Sequence, residues 1–497
     1  MRSGGMRIHV TAVAGTGMGA LAGLLQELGH QVSGSDTAFY PPMGPALESW
    51  GIALQQGFAS EHLTSQAAFG KAPEVVVVGN VCRKDNVEAI RAVELGLRRL
   101  HIGTALQEFV LPGTSPLVVA GTHGKTTTSS LCAHLLDRAG LEPGFLVGGI
   151  PRSLGKSFRA AGKRQLSQGT APRRRSRPFV LEGDEYDTAF WEKTPKFLHY
   201  GAEVAIVTSI EHDHVDIYPT FDSYRAAFHR FVGGLPKTGL LVAWAGDPEV
   251  RAVAERAPCE VAYYAVEGDP VGDTAVHWLA APAQTSREGL TFDLYAGGVL
   301  AGRFLSPLPG VHNLRNAVAA LAAVAQGYGP NVRALGVPLA EFQGIKRRQE
   351  LLGSPGGVLV YDDFAHHPTA VRETLAALRG RHPDSRLITV FEPRSATACR
   401  SIHQVDYESA FVAADLVLLA QVHRKDIDPK EQLDVARLAA ALEERGKRAT
   451  SLPSGDAILE RLLDEAKAGD VVAILSNGAF DGLHARLLAA LSARPGG

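Results

Sequence analysis

The eight residues Gly121-Thr122-His123-Gly124-Lys125-Thr126-Thr127-Thr128 constrain this chain more than any other stretch. They follow 116–120, a short apolar run rich in β-branched residues, and precede 129–137, which reads as a helix. Strand, glycine turn, Lys-Thr and helix is the context that a phosphate-binding loop requires. Glycines let backbone N–H groups converge on phosphate oxygens, and the helix N-terminus adds its positive end. On that reading Gly121, Thr122, His123, Gly124 and Thr127 cradle ATP, Lys125 reaches the β/γ-phosphates, and the Thr126 hydroxyl ligates Mg²⁺. The loop departs from the usual pattern, because two residues rather than four separate its glycines. The plainer alternative is a glycine turn before a core helix.

Upstream, 7–13 reads as a strand, Gly15-Thr16-Gly17-Met18-Gly19-Ala20 as a glycine turn opening a helix, and 31–36 as a second strand ending in Asp36. This is a GxGxxA form of the dinucleotide fingerprint with an acid about 20 residues on. The turn offers N–H groups to a diphosphate, and Asp36 offers a carboxylate to a ribose or base. The motif serves equally for NAD, for a nucleotide-sugar diphosphate, or for close helix–strand packing. After the buried-type strand 74–79, Asn80, Asp85 and Asn86 occupy the strand end where ligands bind in such sheets, with turn chemistry as the alternative.

Downstream, the strand 178–182 leads into Glu182-Gly-Asp184-Glu185-Tyr-Asp187. Four carboxylates in six residues repel one another unless cations or hydrogen bonds compensate. Glu182, at the strand end, is placed like the acidic partner of a phosphate-loop Mg²⁺. The strand 204–208 then delivers Glu211-His212-Asp213-His214-Val-Asp216, whose His-x-His-x-Asp could also be a zinc triad. The stretch 240–304 reads as short strands with turns and carries no evident chemistry. Gly310-Val-His312-Asn313-Leu-Arg315-Asn316 opens an Ala-rich helix, where amide side chains can cap or read a base edge. Beyond Gly344, strands at 358–361, 387–391, 415–419 and 470–475 alternate with helices, which predicts a third α/β unit with a parallel sheet. The chain is therefore expected to be α/β with three domains. A Rossmann-like unit covers 1–113, a central phosphate-loop mononucleotide-binding unit 114–344, and a C-terminal Rossmann-like parallel sheet 345–497.

Composition excludes other classes. Lys plus Arg number 50 against 52 Asp plus Glu, a net charge of −2, so no global field favours nucleic acid or an anionic membrane. The basic run 173–177 reads as a solvated surface loop. No apolar run approaches the roughly 20 residues of a membrane span, and 1–6 carries no signal-peptide pattern. Four scattered cysteines without a CxxC pair suit a reduced, cytoplasmic setting. A monomer or weak homo-oligomer is expected.

The order of motifs resembles the Mur ligases of peptidoglycan synthesis. It comprises G-T-H-G-K-T-T-T, E-x-D-E-x-D, E-x-D-H-x-D, G-x-H-N-x-x-N, K-R-R and D-D-x-x-H-H-P, and the resemblance runs from about Met6 to Leu488. Two groups within that family carry the last motif. One attaches L-alanine to UDP-N-acetylmuramate; the other attaches the recycled tripeptide L-alanyl-γ-D-glutamyl-meso-diaminopimelate. This chain looks like the second. The supporting segments are 34–36 with Tyr40-Pro-Pro-Met43, Glu185-Tyr-Asp187 with Phe190, 361–369, Glu392-Pro-Arg394-Ser395 and Leu475-Ser-Asn-Gly478. The alanine group usually has Q-P-H-R where this chain has Glu392-Pro-Arg394-Ser395.

The resemblance implies an ATP-dependent ligase that forms a C–N bond through an acyl phosphate, with two Mg²⁺ ions as cofactors. Gly15, Thr16, Gly17, Met18, Ser35, Asp36 and Asn80 would hold the UDP-sugar. Lys125 and Thr126 would hold ATP and the first metal, Glu182 would be shared between two metals, and His214 would ligate the second. His312, Asn313 and Asn316 would lie near adenine, Arg348 near the phosphates and Asp363 on the ribose, while His366 and Arg394 would meet the incoming peptide. Thr208-Ser209 replaces a common Thr-Asn pair, and His229 stands where several relatives have a carbamylated lysine, so none is expected here. The competing readings are an alanine acceptor, an NAD-dependent oxidoreductase built on Gly15–Asp36, and a non-catalytic nucleotide sensor.

Overall fold

A computed structural model describes residues 5–40, 43–65, 67–162, 175, 177–286, 288–424 and 426–494. Pro41-Pro42 and most of the basic loop, 163–174 and Ser176, lie outside the described residues. Three large sheets organise the described residues, besides a two-stranded ribbon of Asp187–Ala189 and Glu192–Pro195. The first has five parallel strands in the order Ala53–Gln56, Gln31–Asp36, Arg7–Thr11, Val75–Val78 and Arg98–Leu100. The strand order reverses beside Arg7–Thr11, and the glycine turn and Gly79-Asn80 sit there, off the strand C-termini.

The second sheet has ten strands. Its parallel middle places Ser115–Ala120 between Val204–Val207 and Pro178–Glu182. All three strands are apolar along most of their length because helices cover both faces. The phosphate loop, Thr208-Ser209 and the acidic stretch therefore leave the same edge of the sheet side by side. The region 240–304 is more regular than its sequence suggests. Leu240–Trp244 and Glu260–Val266 extend the parallel array, and Trp278–Ser286, Gly289–Ala296 and Val299–Ser306 finish it as an antiparallel meander.

The third sheet runs Glu350–Gly353, Leu359–Asp363, Val471–Leu475, Leu387–Phe391, Leu416–Ala420, Arg448–Leu452. It is not wholly parallel, as the sequence suggested: Glu350–Gly353 pairs antiparallel on the edge. Only residues 354–358 join it to Leu359–Asp363, too short a connection for a parallel crossover.

The cores are joined unequally. One continuous buried cluster contains Ile8 and Leu21 of the first unit together with Phe158, Phe179 and Tyr224 of the central unit. Among the described residues, the two buried clusters flanking the third sheet contain none from the other units.

Candidate active site

The strand Ser115–Ala120 delivers Gly121 at φ +129°, and Gly124 at φ +78° starts the helix Lys125–Arg138, four residues earlier than the pattern suggested. A Cβ on Gly121 would lie 2.1 Å from Thr208 Oγ1, and one on Gly124 would lie 2.4 Å from Asn316 Oδ1. Both glycines are required for sterics as well as for φ. The adjacent strand end clamps the loop. Thr208 donates to the His123 carbonyl at 2.5 Å, the His123 N–H donates to Ser209 Oγ at 3.1 Å, and the Thr122 N–H donates to the Ser209 carbonyl at 2.8 Å. Thr208 and Ser209 thus act as loop supports, a role their sequence did not announce.

Lys125 Nζ donates to the Gly121 and Thr122 carbonyls and to Glu185 Oε1, at 2.6, 3.2 and 3.0 Å. Burial alone would depress this ammonium, but the Glu185 carboxylate outweighs it and holds the pKa above its ordinary value. Glu182 accepts from Thr126 Oγ1 at 3.0 Å and from the Gly148 N–H at 2.7 Å. Burial pushes its carboxyl up despite those donors and Lys125. Glu185 also accepts from Tyr224 at 3.2 Å and meets His214 Nε2 at 3.0 Å. Burial raises its carboxyl, but Lys125 and His214 together keep it below the ordinary range.

His214 takes φ +54°, a left-handed backbone that a histidine adopts only when its surroundings hold it there. Burial lowers its pKa, yet the Glu185 contact prevails and raises it. His214 therefore meets Glu185 directly, a contact that the sequence did not announce. The reason is register: Glu185 lies three residues beyond the strand end and folds back over the lysine. His212 Nε2 bonds the Tyr218 carbonyl at 2.9 Å, so the zinc-triad alternative does not assemble. The donor set nevertheless fits a hard cation. Thr126 Oγ1 and Glu182 are adjacent, and the buried Glu185 Oε2 has no hydrogen-bond partner among the described residues.

A cavity of about 330 Å³ separates the central and C-terminal units. Gly124, Thr126 and Thr127 line one side, together with His312, Asn313 and Asn316, while Arg348 and Asp363 face them from the other. Arg348 Nη2 comes within 3.4 Å of Thr126 Oγ1. Asn313 donates to the Pro309 carbonyl and accepts from Asn316, so these amides brace one another at the cavity wall. His312 lies 3.6 Å from Glu373 and 3.3 Å from Gln349 Nε2. Asp363 is buried, which pushes its carboxyl up, and it accepts the Gln349 and Ala365 N–H groups at 2.7 Å each.

Trp244 and Tyr264, from the stretch that showed no chemistry in sequence, supply aromatic wall. Their strands join the parallel array only through non-local pairing, so no local signal marked them. Glu211, which the sequence singled out only as part of its acidic and histidine stretch, bridges the two units. It receives Thr369 Oγ1 across the gap at 2.7 Å and lies 3.2 Å from His123, which hold its carboxyl down to about 2 against burial.

His366 and Arg394 sit further along the C-terminal face. Burial lowers the His366 pKa, and Asp213 and His214 of the central unit both act on it electrostatically. Arg394 is 52% exposed along its side chain, 3.4 Å from Glu392.

The N-terminal turn is open above its glycines. A Cβ on Gly15 would meet nothing within 4 Å among the described residues, and one on Gly17 would meet only Ile102 Cδ1 at 3.9 Å. That leaves Thr16 and the Gly17 N–H region accessible to a diphosphate, with Asn80 half-buried at the neighbouring strand end. Met18 points into the core. Two expectations change here. Asp36 spends its carboxylate on the Ala14 and Thr37 N–H groups at 2.8 and 2.7 Å, shaping the turn. Ser35 is buried and donates to Glu88 at 2.6 Å, facing away from the open turn. Asn86 accepts the Glu88 and Ala89 N–H groups and caps the helix Val87–Glu94, so turn chemistry accounts for it.

A phosphate loop with paired acids, facing a second α/β unit across a nucleotide-sized cleft and fused to a glycine-turn unit, defines a multidomain ATP-dependent amide ligase. The chain belongs to the Mur ligase family. Its residues 7–112, 119–324 and 347–478 match the family profiles described as Mur ligase family, catalytic domain; Mur ligase middle domain; and Mur ligase, glutamate ligase domain. It is 35% identical over 490 residues, 98% of both chains, to the UDP-N-acetylmuramate–L-alanyl-γ-D-glutamyl-meso-2,6-diaminoheptandioate ligase of Escherichia coli (strain K12). It is 34% identical over 498 residues to the UDP-N-acetylmuramate–L-alanine ligase of Chloroflexus aggregans, covering 97% of this chain and 98% of that one. The crystal structure of a murein peptide ligase from Psychrobacter arcticus superposes with a TM-score of 0.72 at 33% identity, covering 99% of this chain and all of that one.

Proposed function

We propose that this chain joins the tripeptide L-alanyl-γ-D-glutamyl-meso-diaminopimelate to the lactoyl carboxylate of UDP-N-acetylmuramate, with ATP cleaved to ADP and phosphate. The observation that carries the acceptor assignment is the Glu392–Arg394 pair. It replaces the sequence usual in alanine-accepting relatives and leaves an exposed guanidinium on the C-terminal face. An acceptor with several carboxylates suits that guanidinium, and free alanine does not need it.

The first step joins a carboxylate oxygen to the γ-phosphorus and releases ADP. In the second, the acceptor amine attacks the acyl carbon, an amide bond forms and phosphate departs with that oxygen. Lys125 neutralises the approach of the two anions, and Arg348 does the same from the opposite wall. Leaving Glu185 for the triphosphate is the movement this requires of Lys125. Thr126, Glu182, Glu185 and His214 would hold two Mg²⁺ ions, which supply charge stabilisation at the phosphates. Only the unprotonated amine can attack, and His366, whose pKa burial lowers, would be the side chain on the C-terminal unit to take its proton. Gly15 to Met18 present the sugar nucleotide, and Asp36 acts by fixing that turn.

Incubating the enzyme with UDP-N-acetylmuramate, ATP and either tripeptide or alanine tests the assignment. A kcat/KM at least about 100-fold higher for tripeptide, roughly 2.7 kcal/mol, is expected; preference for alanine would overturn it.

A further inference from the structure

The chain passes from the central to the C-terminal unit through Arg347, Arg348 and Gln349, and the outer two take φ values of +62° and +48°. Residues with a Cβ hold such values only when surrounding contacts over-determine them. The contacts are specific. The Arg347 N–H donates to Glu350, and its carbonyl accepts the Phe364 N–H at 3.0 Å. Its guanidinium donates to the carbonyls of Ser476 and Gly478, at 2.8 and 2.7 Å, and to Asp362 at 3.2 Å. Three successive side chains or N–H groups thus reach three places: Arg347 the 476–478 loop, Arg348 the phosphate loop, and Gln349 the buried Asp363.

The 476–478 loop is also the floor under Arg394. A Cβ on Gly478 would lie 2.3 Å from Arg394 Cδ and 2.4 Å from its Nε, so the arginine lies flat on that glycine. Ser476 Oγ bonds Glu392, whose other oxygen lies 3.4 Å from Arg394. Two carbonyls aimed at one guanidinium are charge-assisted acceptors, and removing the donor frees the loop to move.

We propose that Arg347 is a positioning residue for the peptide acceptor: by holding the 476–478 loop it fixes the seat of Arg394. It thereby ties acceptor capture to the same linker segment that touches the nucleotide site. This role rests on the acceptor reading above. Backbone strain is unchanged in Arg347→Met and Arg347→Lys, since both keep a Cβ, so only the guanidinium contacts differ.

The test is steady-state kinetics of both variants with each substrate varied in turn. Arg347→Met should raise KM for the tripeptide about tenfold while KM for ATP and for UDP-N-acetylmuramate stays within about twofold. Arg347→Lys should fall between it and the unsubstituted enzyme. Gly478→Ala, which displaces Arg394 directly, should shift the same KM while the linker residues themselves are unchanged. A tripeptide KM unchanged in Arg347→Met, or a parallel rise in KM for ATP, would overturn the proposal. Failure of the acceptor reading shows separately, as alanine preference in the unsubstituted enzyme. If Arg347→Met does not fold, the tripeptide KM of Arg347→Lys and Gly478→Ala decides the matter by the same criteria.

Discussion

The central unit has two neighbours and holds them by opposite means. Toward the N-terminal unit the contact is apolar and interlocked. Phe158 fills a notch at Gly23, where a Cβ would lie 2.2 Å from its ring, and Trp50 packs edge-on at 4.7 Å. Lys156 and Glu27 close the rim at 2.8 Å. Toward the C-terminal unit the contact is polar and encloses a cavity, with Thr369 on Glu211, Arg348 near Thr126 and the His123 and His367 rings 4.7 Å apart. Buried apolar surface is lost all at once on separation, whereas polar contacts exchange readily for water. The first interface fixes the sugar-nucleotide turn relative to the phosphate loop. On the proposed function, the second would admit the nucleotide, and its closure would complete the site.

The largest effect is expected inside the fixed half. Glu88 is fully buried and accepts from Thr11 at 2.7 Å and from Ser35 at 2.6 Å, and it contacts His9 and His62 at 3.3 and 2.7 Å. Burial would raise its carboxyl, but these partners hold it at about 2. A depressed carboxylate stabilises the fold above its unfolded pKa of about 4.5, and the contribution is lost as pH falls toward 2. Glu88→Gln should therefore destabilise by about 3 kcal/mol at pH 7, and the difference from the unsubstituted chain should shrink between about pH 4.5 and 2. Thermal unfolding across that range reads both. A pH-independent difference would assign the loss to packing instead.

Gly23→Val should come next. Its side chain collides with Phe158, and overpacking of this kind costs roughly 1–3 kcal/mol. A lowered Tm together with a raised KM for UDP-N-acetylmuramate is expected. A change in KM for ATP alone would contradict the division between the two interfaces. The smallest effect belongs to the cleft. Thr369→Val removes one partly exposed bond to Glu211 that water can replace, worth about 1 kcal/mol. KM for ATP should rise a few-fold with Tm unchanged, as measured by kinetics and calorimetry. A Tm loss matching that of Gly23→Val would make the two interfaces alike.

Much of this was legible in the sequence because the phosphate loop, the acidic stretch and the D-D-x-x-H-H-P segment each combine a local backbone requirement with a chemical one. Gly121 and Gly124 need their φ values and their lack of a side chain, and the pattern shows it. What stayed hidden depends on pairing across the chain. Trp244 and Tyr264 become cavity wall only through the order of the central sheet. Glu185 meets His214 because a loop folds back by three residues. Ser35 and Asp36 lie in a recognisable fingerprint, yet Glu88, more than fifty residues away, turns one inward, and the turn itself occupies the other. Arg347 showed only as a member of a basic triplet; its two carbonyl partners come from the far end of the chain.

Phosphate loop and sugar-nucleotide turn are taken to serve one reaction through an acyl phosphate, and isotope transfer tests this most directly. UDP-N-acetylmuramate labelled with ¹⁸O in its lactoyl carboxylate is incubated with ATP and tripeptide, and the released phosphate is analysed by mass spectrometry. One ¹⁸O atom is expected in each phosphate formed, with the signal lost in Lys125→Ala. Phosphate without label, formed alongside the amide product, would contradict it.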